Sequence, residues 1–436
     1  MADLRSPLQA SNQYGALERR VARLLSNMPW LRIWLKRGYA RAVYLLNGRH
    51  PAAFESRTSL HQVGPDNTDT FFGYYDKSPL SGSGRLLCHA SPHSSNRPPQ
   101  SGHKLAVQVY ELGAQGSAAP IMSVETRCYN WQQGARAQWL DDDHFIFNDF
   151  DPEQRQYISR VHSISGREEV QRYTHAVQDA WGREYFLAIN YRRLHALRPE
   201  YGYSNLPPLD ERALKKLEDD GIWRVEQKSG DSRLLYSLQD ICRCEPSDDF
   251  PHARHKVNHV MIAPDGRRFI FLHRYFIGKR KFDRLMLGAA DGSGLRVLSA
   301  HGMVSHCFWM TDSALLCYLR GPNGRDGYHK VDISTGKIES VFGGALDAMG
   351  DGHPHVHGQW FVTDTYPDKR RMQHLLKADL NTGVVSELGR FYQSFRYDGP
   401  NRCDLHPRIS PDGQLVFFDS VCSGRRRLHF LELDPP

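Results

Sequence analysis

One turn signature, repeated at a fixed distance from a polar residue, constrains this chain more than any bulk property. Pro264-Asp265-Gly266, Thr311-Asp312 and Pro411-Asp412-Gly413 each precede an apolar run, at 269–272, 315–318 and 415–418. Turn residues followed by such runs read as β-hairpins. Six residues before the turn aspartates stand His259, His306 and His406, and six before Asp142, which precedes the run at 145–147, stands Arg136. Weaker turns at Ser81-Gly82, Trp181-Gly182 and His357-Gly358 extend the series to Tyr75, His175 and Asp351. Seven repeats of three or four strand-like runs, spaced by about 40 to 50 residues, describe propeller blades, which bury their faces only when neighbours stack on them. The expectation is an all-β, seven-bladed β-propeller over residues 59–436, with the run at 59–63 completing the last blade. The long interval between His175 and His259 is assigned to an excursion over 190–220 that carries a helix. A two-sheet sandwich gives no reason for one offset to recur seven times.

Residues 1–58 differ in character. Val21, Leu24, Leu25, Trp30, Leu31, Trp34 and Leu35 recur at helical spacing among Arg19, Arg20, Arg23, Arg32, Lys36, Arg37 and Arg41, which reads as a basic amphipathic helical extension. Such helices pack on the propeller rim or, through residues 16–46, contact an anionic membrane surface. No stretch approaches the roughly 20 apolar residues of a spanning helix. Met1–Asn12 lacks the pattern of a secretory signal, so a cytoplasmic location is expected, at the inner membrane face if the helices anchor there. The eight cysteines are scattered through apolar runs and read as buried thiols rather than disulfides. A net charge of +7 favours an anionic partner; nucleic acid is not expected.

In a propeller the innermost strand of each blade lines the channel, so the seven offset residues are expected to converge at one mouth. Titratable groups gathered in one concavity are what binding and catalysis require. His353, His355 and His357 alternate and are expected to share a strand face, as are Asp404 and His406 beside Asn401 and Arg402. Imidazole and oxygen donors of this kind suit a divalent ion such as Mn²⁺ or Zn²⁺. Cys242-Arg243-Cys244 lacks a second cysteine pair, and no phosphate loop, nucleophile elbow or dinucleotide fingerprint is present.

Gly73-Tyr74-Tyr75-Asp76-Lys77-Ser78-Pro79, Asn130-Trp131-Gln132-Gln133-Gly134-Ala135-Arg136, Val257-Asn258-His259, and Ser305-His306 followed by Phe308-Trp309 resemble the oligogalacturonate-lyase type of propeller polysaccharide lyase. The resemblance implies a seven-bladed propeller that cleaves oligouronides by β-elimination with a bound Mn²⁺. It implies a catalytic histidine at His259 and metal ligands at His306 and in the last blade. There the family's Gln-x-x-His-x-His reads Asn401-Arg402-Cys403-Asp404-Leu405-His406, which keeps one histidine and substitutes oxygen donors. The chemistry agrees independently, because β-elimination needs a neutralised uronate carboxylate, a base for the C5 proton and an acid for the leaving oxygen. The expected catalytic set is His259 as base, Arg136 for the carboxylate, Tyr75 as acid, and His175. Arg192, Arg193, Arg402 and His355 are expected to bind substrate, and His306, Asn401, Asp404 and His406 the metal, probable manganese. The partner class is an anionic oligo- or polysaccharide. The rival reading is a non-catalytic propeller that binds glycan or acts as a scaffold; a hydrolase reading rests on Asp141-Asp142-Asp143, which falls in a turn.

Overall fold

The hairpin turns close where the sequence places them, and each opens an antiparallel meander. The computed structural model describes residues 29–48, 50, 52–112, 119–342 and 346–433, with side chains of the first helix described from residue 38. Seven sheets form a β-propeller: blade I spans 69–126, II 138–173, III 177–237, IV 254–299, V 304–340, VI 355–392 and VII 408–432. In each blade the strands follow one another in sequence order from the innermost outward. Blade VII has three strands of its own. Its fourth, His61–Gln62, comes from the beginning of the chain and pairs with Arg427–Glu432, as the run at 59–63 predicts. Phe54–Ser56 adds a fifth strand to blade VI.

The core lies between blades, because each sheet is apolar on both faces. One cluster joins Phe417, Leu428 and Phe430 of blade VII to Leu86 and Val107 of blade I and Phe145 and Phe147 of blade II. Another joins Val362, Leu375 and Phe391 of blade VI to Val416 and Phe418 of blade VII. The eight cysteines are unpaired. The excursion over 190–220 leaves blade III between its second and third strands as helices Tyr191–Leu197 and Glu211–Leu214, with Pro199–Tyr201 between them. The helix Pro29–Asn47 rests on blade VI, where Tyr44 meets Phe395 edge-on at 5.5 Å, and leaves Leu45 and Leu46 exposed. The remaining helical residues expected at 16–28 lie outside the described residues. Among the described residues no helix is long and apolar enough to cross a membrane.

Polar latches on the second strands tie one blade to the next. The fifth residue of that strand is His89, Asn148, Asp364 and Asp419 in blades I, II, VI and VII. Each accepts a backbone N–H from the following blade: Ala135 at 3.0 Å, Val177 at 2.6 Å, His406 at 3.0 Å, and Phe72 with Gly73 at 3.0 Å each. Asp419 also pairs with fully buried Arg408 at 2.8 Å. Removing one partner of a buried ion pair leaves the other charge uncompensated, so Asp419→Ala is expected to lower unfolding free energy by about 3 to 5 kcal/mol in urea denaturation. A loss under 1 kcal/mol would refute the latch.

A second expectation concerns pH. Burial alone would keep His374 neutral, but Asp368 and Glu387 against its ring raise its pKa to about 9. With an unfolded value near 6.5, this contribution is complete below about pH 6.5 and is lost as pH rises through 9. The urea midpoint should fall across that window, and His374→Gln should flatten the slope.

Candidate active site at the channel mouth

The segment entering blade I crosses the mouth and carries two tyrosines into it. It can do so because Gly73 adopts φ +112°, and a Cβ there would stand 2.7 Å from the carbonyl carbon of Gln133. Arg408 donates to the carbonyls of Gly73 and Tyr74, fixing the segment from below. Tyr74 and Tyr75 then point to different partners. The Tyr74 hydroxyl lies 2.5 Å from His259 Nε2, whereas the Tyr75 hydroxyl donates to the Cys307 carbonyl and accepts from its N–H. Tyr74, absent from the offset series, is therefore the hydroxyl that meets the histidine.

His259 occupies left-handed backbone, φ +53°, at a bulge in the innermost strand of blade IV. Arg136 and His406 share this conformation in blades II and VII. A non-glycine residue held there costs about 1 to 3 kcal/mol and persists only where the surroundings impose it. The His259 ring stacks at 5.7 Å on His306, whose ring is 4.0 Å from His353. His306 Nδ1 donates to Asp351 at 3.1 Å, and Ser305 donates to the same carboxylate at 2.5 Å. The offset series places Asp351 and His306 at one mouth, and their pairing becomes visible only in the structure. Burial first, then the His306 ring, lowers the His259 pKa well below the ordinary value, so its imidazole is neutral at pH 7. Burial raises the Tyr74 pKa well above 10, so that hydroxyl keeps its proton.

Beyond His306 lies a set of metal-type ligands. One ligand atom from each of His353, Asp404 and His406 falls within 4.8 Å of the others, all buried. His353 Nδ1 donates to Asp364 at 2.8 Å and His406 Nδ1 donates to the Gly73 carbonyl at 2.7 Å. Both rings thus keep Nε2 for another partner, and neither Nε2 has a hydrogen-bond partner among the described residues; nor does Asp404 Oδ1. Imidazoles oriented by a carboxylate and a carbonyl, facing a second carboxylate, form the donor set and outer shell of a divalent cation site. These residues suit a divalent ion, with His353 in the set and His306, expected as a ligand, paired with Asp351 outside it. Cys242, His255 and His273 also approach within 4.8 Å of one another. There Arg284 Nε donates to His273 Nδ1 at 3.1 Å, which leaves the proton on the nitrogen facing His255 and places a positive charge beside the group. That polarity opposes a cation.

Other expected site residues take different places. Arg136 is buried and doubly paired with Asp76, at 2.9 and 2.8 Å, so its charge is already neutralised. Arg193 is consumed by Asp220 and the carbonyls of Leu214, His255, Ala213 and Lys216, which pin the excursion to blade IV. His175 packs on Trp223, away from the mouth, because Trp181 pairs directly with Tyr185 in a shorter hairpin than that joining Ile262 to Phe269. The backward count overshoots, and buried Gln178 occupies the bulge of blade III. Asn401 donates to the Asn96 carbonyl rather than joining the ligand set. His353 precedes its strand, His355 binds the Tyr75 carbonyl at 2.9 Å, and His357 reaches the surface near Pro411, so the three do not gather. Arg192 lies beside Pro207 on the excursion. Arg402 does reach the site, pairing with Asp404 at 2.7 Å and donating to the Tyr201 hydroxyl at 3.2 Å. Tyr201 from the excursion covers Tyr74, with ring centroids 6.0 Å apart.

No family model and no curated protein matches the sequence. Among solved structures, oligogalacturonate lyase from Vibrio parahaemolyticus is similar with a TM-score of 0.58 at 15% identity, over 87% of this chain and 96% of that one. The β-propeller domain of the Trilobed protease from Pyrococcus furiosus gives 0.46 at 9% identity, over 84% and 97%. TolB from Acinetobacter baumannii gives 0.39 at 13%, over 77% and 78%. The first likeness shows a shared propeller fold; the other two are too distant to weigh.

The ligand geometry has a direct test. Manganese added to chelator-treated protein is expected to raise its melting temperature, with about 2.7 kcal/mol of stabilisation at a hundredfold excess over Kd. His406→Ala and Asp404→Ala should abolish the shift and Asn401→Ala should keep it. A wild-type protein indifferent to Mn²⁺, Zn²⁺ and chelator would overturn the site.

Proposed function

We propose that the protein is a polysaccharide lyase that cleaves a uronic-acid-containing oligo- or polysaccharide by β-elimination at the propeller mouth. The observation that carries this reading is the Tyr74–His259 contact beside the His353, Asp404 and His406 cluster, with His306 between them. One end handles protons and the other suits positive charge, which is the division of labour that elimination from a uronate requires.

The proton cycle closes within this pair. Neutral His259 takes the C5 proton; the C5 electron pair forms the C4=C5 double bond as the C4–O4 bond breaks, and its electrons go to O4. Tyr74 gives its proton to that oxygen. The imidazolium then returns a proton to the tyrosine oxygen along their hydrogen bond, restoring both groups. A divalent ion held by His353, Asp404 and His406, manganese by the resemblance, would supply the charge that neutralises the substrate carboxylate and acidifies C5. Asp351 orients His306 between the two ends, and Tyr201 with Arg402 closes the mouth against water. Tyr75 holds the floor through Cys307, which moves the acid role expected of it to Tyr74.

His259→Ala is expected to lower turnover on polygalacturonate by about 10² to 10⁴, the range for a lost general base, with binding retained. Tyr74→Phe should fall in the same range, while Tyr75→Phe should act chiefly on stability. The measurement is the ultraviolet absorbance of the unsaturated product. A wild-type protein that binds uronate polymers and releases no such product is a glycan-binding propeller, and the lyase reading fails.

A further inference from the structure

The side of blade IV that carries His259 also carries a group of cations that no part of the proton cycle uses. Lys256 and Asn258 alternate on the strand Arg254–Ile262 and so share a face. Lys256 stands opposite Arg274 on the second strand, and Arg274 stands opposite Asp283 on the third. Directly opposed side chains begin about 5 Å apart. Lys256 is 0% exposed, yet its ammonium has no hydrogen-bond partner among the described residues. Neither amide atom of buried Asn258 has one, nor has Nη1 of buried Arg274.

The charges do not balance. Arg274 uses Nε on Asp283 and Nη2 on the Val304 carbonyl at 3.2 Å, and Asp283 is shared with Lys281 at 3.2 Å. Asp283 is thus the carboxylate for both Arg274 and Lys281, and Lys256 forms no ion pair among the described residues. Arg198, at the rim with its guanidinium over the Tyr201 ring, is paired with Glu200 at 2.9 Å, so these two charges largely offset each other and leave the Lys256 group as it stands. Burial first, then Arg274, lowers the Lys256 pKa well below its ordinary value, so the amine gains its full charge only with an anion beside it, and three further unsatisfied donors and acceptors add their own cost. A fold under no other demand would place methionine or leucine at position 256.

We propose that Lys256, Arg274 and Asn258 form a subsite for an oxyanion, a carboxylate or a sulfate ester, on the sugar unit adjoining the one that reacts at His259. The subsite deepens the lyase reading and rests on it for the identity of the ligand. The Lys256 nitrogen and the free Nη1 of Arg274 bind its oxygens, and the Asn258 amide donates to a neighbouring hydroxyl or oxygen. A substrate with charge on consecutive units is therefore selected over one with isolated uronates.

The test uses His259→Ala protein, so that binding is read apart from turnover, with Lys256→Met added. Titration calorimetry with trigalacturonate, a sulfated glycosaminoglycan disaccharide and maltotriose separates carboxylate, sulfate and neutral ligands. Lys256→Met is expected to weaken the preferred anionic ligand about 10- to 100-fold, as for a lost hydrogen bond to a charged group. Its melting temperature should stay equal or rise, because a buried polar group without a hydrogen-bond partner is removed. A lysine with only a structural role gives the reverse, a lower melting temperature with unchanged anion affinity, and that result overturns the proposal. Absent turnover by wild type with Lys256-dependent anion binding sinks the lyase reading and leaves the subsite standing. Equal affinity for all three ligands, or no binding of any, overturns the subsite itself.

Discussion

Deep between blades VII and I, the carboxylate of Asp419 accepts two consecutive backbone N–H groups, from Phe72 and Gly73, and pairs with buried Arg408. Arg408 in turn donates to the carbonyls of Gly73 and Tyr74. A loop crossing a channel mouth has no strand neighbour for these groups, and buried backbone left unsatisfied is costly. The ion pair replaces the missing ladder and fixes Tyr74 above and the Gly73 carbonyl below. That carbonyl sets the His406 tautomer. One buried charge pair thereby governs both ends of the site.

The same device recurs in three other blades, on an aspartate, a histidine and an asparagine. Asp364 grips His406 through its backbone and His353 through its ring, so two proposed ligands hang from one carboxylate. His89 and Asn148 hold blades II and III in the same manner. The latches act where the innermost strands leave regular pairing, next to the left-handed residues Arg136 and His406. Stacking of apolar sheet faces gives the propeller its free energy of folding, and the latches give it the alignment between blades that a site shared by five of them needs.

The architecture was legible because each blade is built from neighbours in sequence: turn chemistry, strand runs and spacing are local. The site was legible in outline, since His259, His306, Asp351 and His406 stand where the offset predicts. Roles were less accessible, because a side chain's partner in a propeller comes from another blade. Nothing near Arg136 announces that Asp76 cancels its charge, nor does anything near Arg193 announce Asp220. Tyr74 escaped because it lies one residue from the offset, and His353 because it was read as part of a strand that begins at His355. Of the oxygen donors in the last blade, Asp404 comes within 4.8 Å of His353 and His406, while Asn401 turns to the Asn96 carbonyl. His175 was misplaced by a hairpin shortened in blade III, a change invisible to a count that assumes equal turns.

Closure by the beginning of the chain has a consequence for how the protein comes into being. His61–Gln62 can pair only after Arg427–Glu432 has been made, and the Gly73 to His406 contact joins residues 333 positions apart. Domains emerge from the ribosome with the N-terminal part first, so blades I to VI can stack while the mouth is still missing its last wall. Until the final strands arrive, Tyr74, His353 and the latch from Asp419 have no common geometry. The candidate site is therefore unassembled in any product that stops short of blade VII, and the ring certifies its own completion.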